Sequence, residues 1–123
     1  MILVDTSVWV DHLHRPEPML VDLLKRDEIA SHPLVIEELA LGSIARREVL
    51  LDSLGRLSRV IVASHGEVRE LVEARRLWDR GLSAVDAHLL AAVLLSAGSV
   101  LWTRDKSLAG AAAEIPVPLV AWR

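Results

Sequence analysis

Short apolar runs alternate with helical segments along the whole chain, and this alternation constrains the fold more than any other feature. Ile2–Val4, Ile29–Ser31, Val60–Ala63, Val100–Thr103 and Val117–Ala121 read as short strands. Pro118 argues for an edge position for the last of them. Between them the apolar spacing predicts helices over Thr6–His14, Pro18–Arg26, Leu34–Leu41 (opened by Pro33 and ending near Gly42 or Ile44), Arg46–Leu57, His65–Arg80, Ala84–Ala97 and Lys106–Ala113. Gly81 is placed to cap the helix that contains Trp78. Strands separated by helices pair in parallel and are covered on both faces. The crossovers are expected to be right-handed. The fold class is therefore α/β, with a central, mainly parallel sheet.

The 123 residues are expected to form a single domain over 1–123, large enough to bury a core without covalent staples. There is no cysteine, which excludes disulfides and thiolate metal sites. The longest apolar stretch, near Leu89–Leu95, falls far short of a bilayer span, and the N-terminus lacks a signal-peptide pattern. The expected location is cytoplasmic. Phe and Tyr are absent, so aromatic packing falls to Trp9, Trp78, Trp102 and Trp122. The net charge of −3 does not announce a nucleic-acid binder, although all but Lys25 and Lys106 of the 14 basic residues are arginine.

In parallel sheets, ligands sit beyond the carboxyl ends of the strands. Asp5 follows the first strand there, and Asp105 follows the strand that ends in Thr103. Asp86 lies in the first turn of the helix opened by Ser83, on the same edge. Glu37 and Glu38 add a fourth candidate from the run LVIEELALG; helical periodicity leaves open which of the two faces inward. Each acid also has a plain structural role available. Ser83-Ala-Val-Asp86 resembles a capping box, and Asp5 and Asp105 can each cap the helix that follows. Clustered carboxylates repel one another unless a positive group stands among them. An oxygen-only donor set, without cysteine and without paired histidine spacing, suits Mg²⁺ or Mn²⁺. His12, His14, His32 and His88 read as structural or surface residues. Ser7 and Ser83 lack a nearby histidine–acid arrangement, which argues against a serine nucleophile. No Walker or GxGxxG pattern is present.

The segments MILVDTSVWVDHL, EELALG, GLSAVDAHLLAA and LWTRDKSL, in this order, resemble the PIN-domain ribonucleases, and most closely the VapC toxins of bacterial type II toxin–antitoxin modules. The resemblance spans essentially the whole chain. It implies a PIN-like three-layer sandwich, an acidic pocket for Mg²⁺ or Mn²⁺, and endoribonuclease activity on single-stranded RNA. By position, Asp5, Glu38, Asp86 and Asp105 match the family's acids, with Asp5, Asp86 and Asp105 as metal ligands and Glu38 orienting a water or a second ion. Thr6 and Thr103 match hydroxyls that line the pocket. Arg104 is a candidate contact to RNA phosphate. The KSL after Asp105 departs from relatives that carry an aromatic there. The resemblance further implies a homodimer, and a VapB-type antitoxin seated in a groove walled by the Pro18–Arg26 and Pro33–Ile44 helices and the Trp9 helix. Operator DNA would be reached only through that antitoxin. Two competing readings are a catalytically inactive PIN-like binding scaffold and a phosphoryl-transfer enzyme with a nucleophilic aspartate. The second usually uses a D-x-D run, and Asp5-Thr6-Ser7 lacks the second Asp.

Overall fold

A computed structural model describes residues 1–120. Its elements run β1 (Ile2–Val4), α1 (Thr6–His14), α2 (Pro18–Lys25), β2 (Ile29–Ser31), α3 (Pro33–Ala40), α4 (Arg47–Gly55), β3 (Ser58–Arg59), α5 (His65–Arg75), α6 (Ala84–Leu95), β4 (Val100–Trp102) and α7 (Lys106–Glu114). The four strands form one all-parallel sheet in the order β3-β2-β1-β4, flanked by helices. This is the expected PIN-like α/β sandwich. In β1 and β4 the register pairs Leu3 with Leu101 and Val4 with Trp102, so the residues just beyond, Asp5 and Thr103, emerge side by side.

The core runs through the sheet and the helices packed on it, with Leu3, Val4, Leu89, Leu90, Leu101 and Leu108 fully buried. Helix α6 is the central one, as its near-continuous apolar sequence predicts: every residue from Ala87 to Val93 is buried. Its start is fixed by a capping box in which Ser83 Oγ accepts from the Asp86 N–H and the Asp86 carboxylate accepts from the Ser83 N–H.

Three expectations are corrected. The strand predicted at Val60–Ala63 lies earlier, at Ser58–Arg59, because those residues hold the register opposite Ala30 and Ser31. Beyond them the Ile61 N–H donates to Ser96 Oγ at 2.8 Å instead of to a neighbouring strand, and Ile61 and Val62 are 56% and 49% exposed. Helix α5 stops at Arg75, well short of Arg80. Arg76 takes the left-handed conformation (φ 52°), its N–H bonds the Glu73 carbonyl, and the Leu77 N–H closes on the Val72 carbonyl at 3.0 Å. That is a Schellman ending built on arginine in the place usually held by glycine. Gly81 therefore lies in the following loop, and Trp78 is carried off the helix into solvent. The predicted last strand is reduced to a single parallel bridge between Leu119 and Leu101, and its last residue, Ala121, falls outside the described residues, as does Trp122.

Candidate active site

The carboxyl ends of β1 and β4 and the start of α6 meet at one edge of the sheet. Asp5 is 5% exposed and sits at the N-cap position of α1, but its side chain makes no capping bond. Its Oδ2 accepts from two hydroxyl donors, Ser7 Oγ at 2.7 Å and Thr103 Oγ1 at 2.8 Å. The helix-cap explanation for Asp5 is thereby removed. A buried carboxylate held by two hydroxyls is fixed in direction.

The other acids keep their structural roles and still join the cluster. Asp86 Oδ2 closes the α6 capping box at 2.9 Å from the Ser83 N–H. Asp105 Oδ1 caps α7 through the Leu108 N–H at 2.9 Å. The Asp105 N–H also donates to Thr103 Oγ1 at 3.0 Å, which links it through one hydroxyl to Asp5. Partial burial raises the Asp86 pKa, and the negative charges of Asp5 and Asp105 raise it further, against the opposing hydrogen bonds from Ser83. Asp86 therefore feels both other aspartates. Glu38 is resolved from Glu37 by contact: both are exposed, but the Glu38 carboxylate accepts from Thr6 Oγ1 at 2.6 Å, while the Glu37 carboxylate makes no hydrogen bond among the described residues. Glu38 thus stands one residue's reach from Asp5.

In all four acids the protein donors engage one carboxylate oxygen and leave the other without a protein donor among the described residues. Such a set suits a hard divalent cation, which takes carboxylate oxygens and water. Among the described residues, no three or more Asp, Glu or His side chains stand close enough together to hold a metal ion as they are placed.

The sequence does not foresee a positioning role for Ser7. Its hydroxyl donates to Asp5 and accepts from the Arg104 N–H at 3.1 Å, so it ties β1 to the segment after β4. The signal was its place two residues after Asp5 in the opening motif. Arg104, in contrast, points away from a phosphate role. Its guanidinium pairs with Asp11 at 2.9 Å and Glu17 at 2.6 Å, fastening the β4–α7 turn to the end of α1 and the start of α2. His32 and His88 are buried, and the exposed His65 stacks edge-on against His88: the His32–His88 and His88–His65 ring centroids are 6.3 and 5.4 Å apart. His32 Nδ1 accepts the Leu34 N–H at the start of α3, and burial together with His88 lowers its pKa to about 4.

A groove of about 360 Å³ opens beside Glu38. It is lined by Thr6, Val10, Leu13 and His14 of α1, by Glu38 and Leu39 of α3, and by residues 42–45. Helix α2, expected as a wall, contributes nothing to its lining.

Residues 2–114 match the family model of the PIN domain. The chain belongs to the PIN-domain family. Over 119 residues, 97% of this chain and 96% of the relative, it is 59% identical to Ribonuclease VapC32 of Mycobacterium tuberculosis, in two strains. Solved structures share its fold. A structure of FitAB bound to an IR36 DNA fragment aligns with TM-score 0.64 at 19% identity, over 98% of this chain and 94% of the other. FitAcB from Neisseria gonorrhoeae aligns with TM-score 0.62 at 19% identity, over 98% and 97%. PAE2754 from Pyrobaculum aerophilum gives 0.58 at 24%, over 89% and 84%.

Proposed function

We propose that this PIN domain is an endoribonuclease that cleaves single-stranded RNA with Mg²⁺ or Mn²⁺, acting in the cytoplasm as the toxin of a toxin–antitoxin pair. What supports the reading is that Asp86 feels the negative charges of Asp5 and Asp105, from distant segments of the chain, that Thr103 bonds Asp5, and that Glu38 is bonded to Thr6, the neighbour of Asp5. The 59% identity to a protein named a ribonuclease supports the choice of RNA. An inactive scaffold is disfavoured because none of the four acids is missing or tied up through both oxygens.

Asp5, Asp86 and Asp105 would hold the cation. When bound, it supplies positive charge against the phosphate and lowers the pKa of water. Ser7 and Thr103 fix Asp5 so that its second oxygen keeps one direction. Thr6 holds Glu38 through one oxygen, and the other would orient a water or a second ion beside the phosphodiester. The apolar groove between α1 and α3, ending at Thr6 and Glu38, supports a VapB-type antitoxin laid along it with a basic group directed to the acids. Homodimerisation, and operator DNA reached only through the antitoxin, belong to the same reading.

The test is cleavage of an end-labelled single-stranded RNA with Mn²⁺ or Mg²⁺ and with EDTA. Wild-type protein is expected to cut only with the metal, and Asp5→Asn is expected to abolish cutting while keeping the fold. Undiminished cleavage by a rigorously purified Asp5→Asn protein would defeat the assignment.

A further inference from the structure

The loop between α5 and α6 holds an aromatic ring out in water. Trp78 is 54% exposed, whereas Trp9 and Trp102 are in the core. Exposing so large an apolar ring is unfavourable, and isolated rings of this size normally pack inward.

The loop is firmly built. Leu77, its neighbour, is buried and closes the Schellman turn on Val72. Arg80 pairs with Glu114 of α7 at 2.6 Å. Gly81 lies so close to α7 that a Cβ there would stand 3.3 Å from Ser107 Oγ. Arg76, Asp79 and Gly81 all have positive φ, a costly local sequence of conformations that persists only where the surroundings enforce it. The ring is therefore presented in advance, and little ordering remains to be done on binding.

The charges beside it are positive in a chain that is negative overall. The stretch 75–80 carries Arg75, Arg76 and Arg80 against Asp79 alone. Arg75 and Arg76 are exposed and form no ion pair among the described residues. With Leu77, Arg80 and Glu114 they line a cleft of about 250 Å³. The loop then runs directly into Ser83 and Asp86. Trp78 and Ser83 are five positions apart, a span of at most about 17 Å. An exposed aromatic with arginines beside it is the composition of a single-strand platform, in which a base stacks on the ring and the backbone meets the cations. Arg46 and Arg47, near the groove, have no exposed aromatic partner, and Arg104 is already paired.

We infer that Trp78, with Arg75 and Arg76, forms a stacking platform that holds single-stranded RNA beside the Asp86 end of the acidic site. This rests on the ribonuclease reading for its substrate class. It assigns the positioning of that substrate to a loop that none of the four motif segments reaches before Gly81.

The probes are fluorescein-labelled single-stranded 12-mers of oligo(U) and oligo(A), titrated by anisotropy in EDTA so that none is cut. Cleavage kinetics with Mn²⁺ follow on the same RNAs. Trp78→Ala is expected to weaken binding about tenfold to a hundredfold for both sequences, and to raise KM far more than it lowers kcat. Trp78→Phe, which keeps a stacking face, is expected to restore most of the affinity. Arg75→Gln with Arg76→Gln is expected to flatten the salt dependence of binding by about one to two phosphate contacts. RNA should quench tryptophan fluorescence in the wild type and much less in Trp78→Ala. Wild-type affinity and KM in Trp78→Ala, with cleavage intact, would overturn the platform and leave the nuclease reading standing. Trp78-dependent binding without any metal-dependent cutting would do the reverse. A Trp78→Ala protein changed only in sedimentation would mark the ring as a protein-contact surface and overturn the platform.

Discussion

Thr103 Oγ1 donates to Asp5 Oδ2 at 2.8 Å across 98 positions of sequence. The same hydroxyl accepts the Asp105 N–H at 3.0 Å. One threonine thus sets the spacing of two acids, and Ser7 completes the hold on the first.

Removing these donors leaves a buried carboxylate under-satisfied. Thr103→Val and Ser7→Ala are each expected to cost about 1–3 kcal/mol of stability, seen as a lower denaturant midpoint at unchanged m. Because both donors share Asp5 Oδ2, the double variant should not be additive. Thr103→Ser should recover most of the loss. Additive, near-zero effects would show that Asp5 does not depend on them.

Asp86 is expected to behave as a charge the fold tolerates for a cation. Burial and the neighbouring aspartates raise its pKa, so the folded state holds the proton more tightly than the unfolded chain. Its contribution therefore favours the fold at low pH and is lost as pH rises through the raised value. At neutral pH, in EDTA, Asp86→Asn should stabilise the fold slightly, by less than about 1 kcal/mol because the group is half in solvent, and so raise the melting temperature, while the amide oxygen keeps the cap. Excess Mn²⁺ should cancel or reverse the difference, as a thermal-shift series would show.

The histidines act with the opposite sign. The His32 pKa falls from 6.5 to about 4, chiefly through burial and secondarily through His88, so the unfolded chain binds the proton first. Stability is then complete above about pH 6.5 and declines as pH falls toward 4, by up to about 3 kcal/mol from this group. His88, lowered by burial and by His65, adds in the same direction. Urea denaturation at pH 7 and pH 5 should show the loss, and His32→Asn, whose side-chain oxygen can still accept the Leu34 N–H, should reduce the difference. An equal slope in the variant would place the acid sensitivity elsewhere.

Gly81 and Gly98 both have positive φ, 74° and 77°, but only Gly81 has a neighbour within reach of an added Cβ, Ser107 Oγ at 3.3 Å. Gly98→Ala should cost about 1 kcal/mol from backbone conformation alone. Gly81→Ala should cost more, and Ser107→Gly should remove the excess. Equal losses in the two alanine variants would mean that the loop does not press on α7.

Much of the site was legible because its acids stand where apolar runs end. Ile2–Val4 passing into Asp5, and Val100–Trp102 passing into Thr103 and Asp105, predict the shared edge without knowledge of packing. Ser83 and Asp86 carry their own helix start. Other features depend on contacts that no local pattern records. Helical phase could not separate Glu37 from Glu38; the Thr6 hydroxyl does. The β3 boundary was set by Ser96, far along the chain, which takes the Ile61 N–H. The end of α5 was misread because arginine, rather than glycine, adopts the left-handed turn at position 76. Arg104 was read as available to RNA because its partners, Asp11 and Glu17, are distant in sequence.

Calorimetric titration of Mn²⁺ into the metal-free protein tests most directly whether the clustered acids constitute a cation site. Saturable binding to the wild type is expected, weakened at least about tenfold in both Asp5→Asn and Asp86→Asn with the fold retained. Identical titrations in all three proteins, or no binding to the wild type, would contradict it.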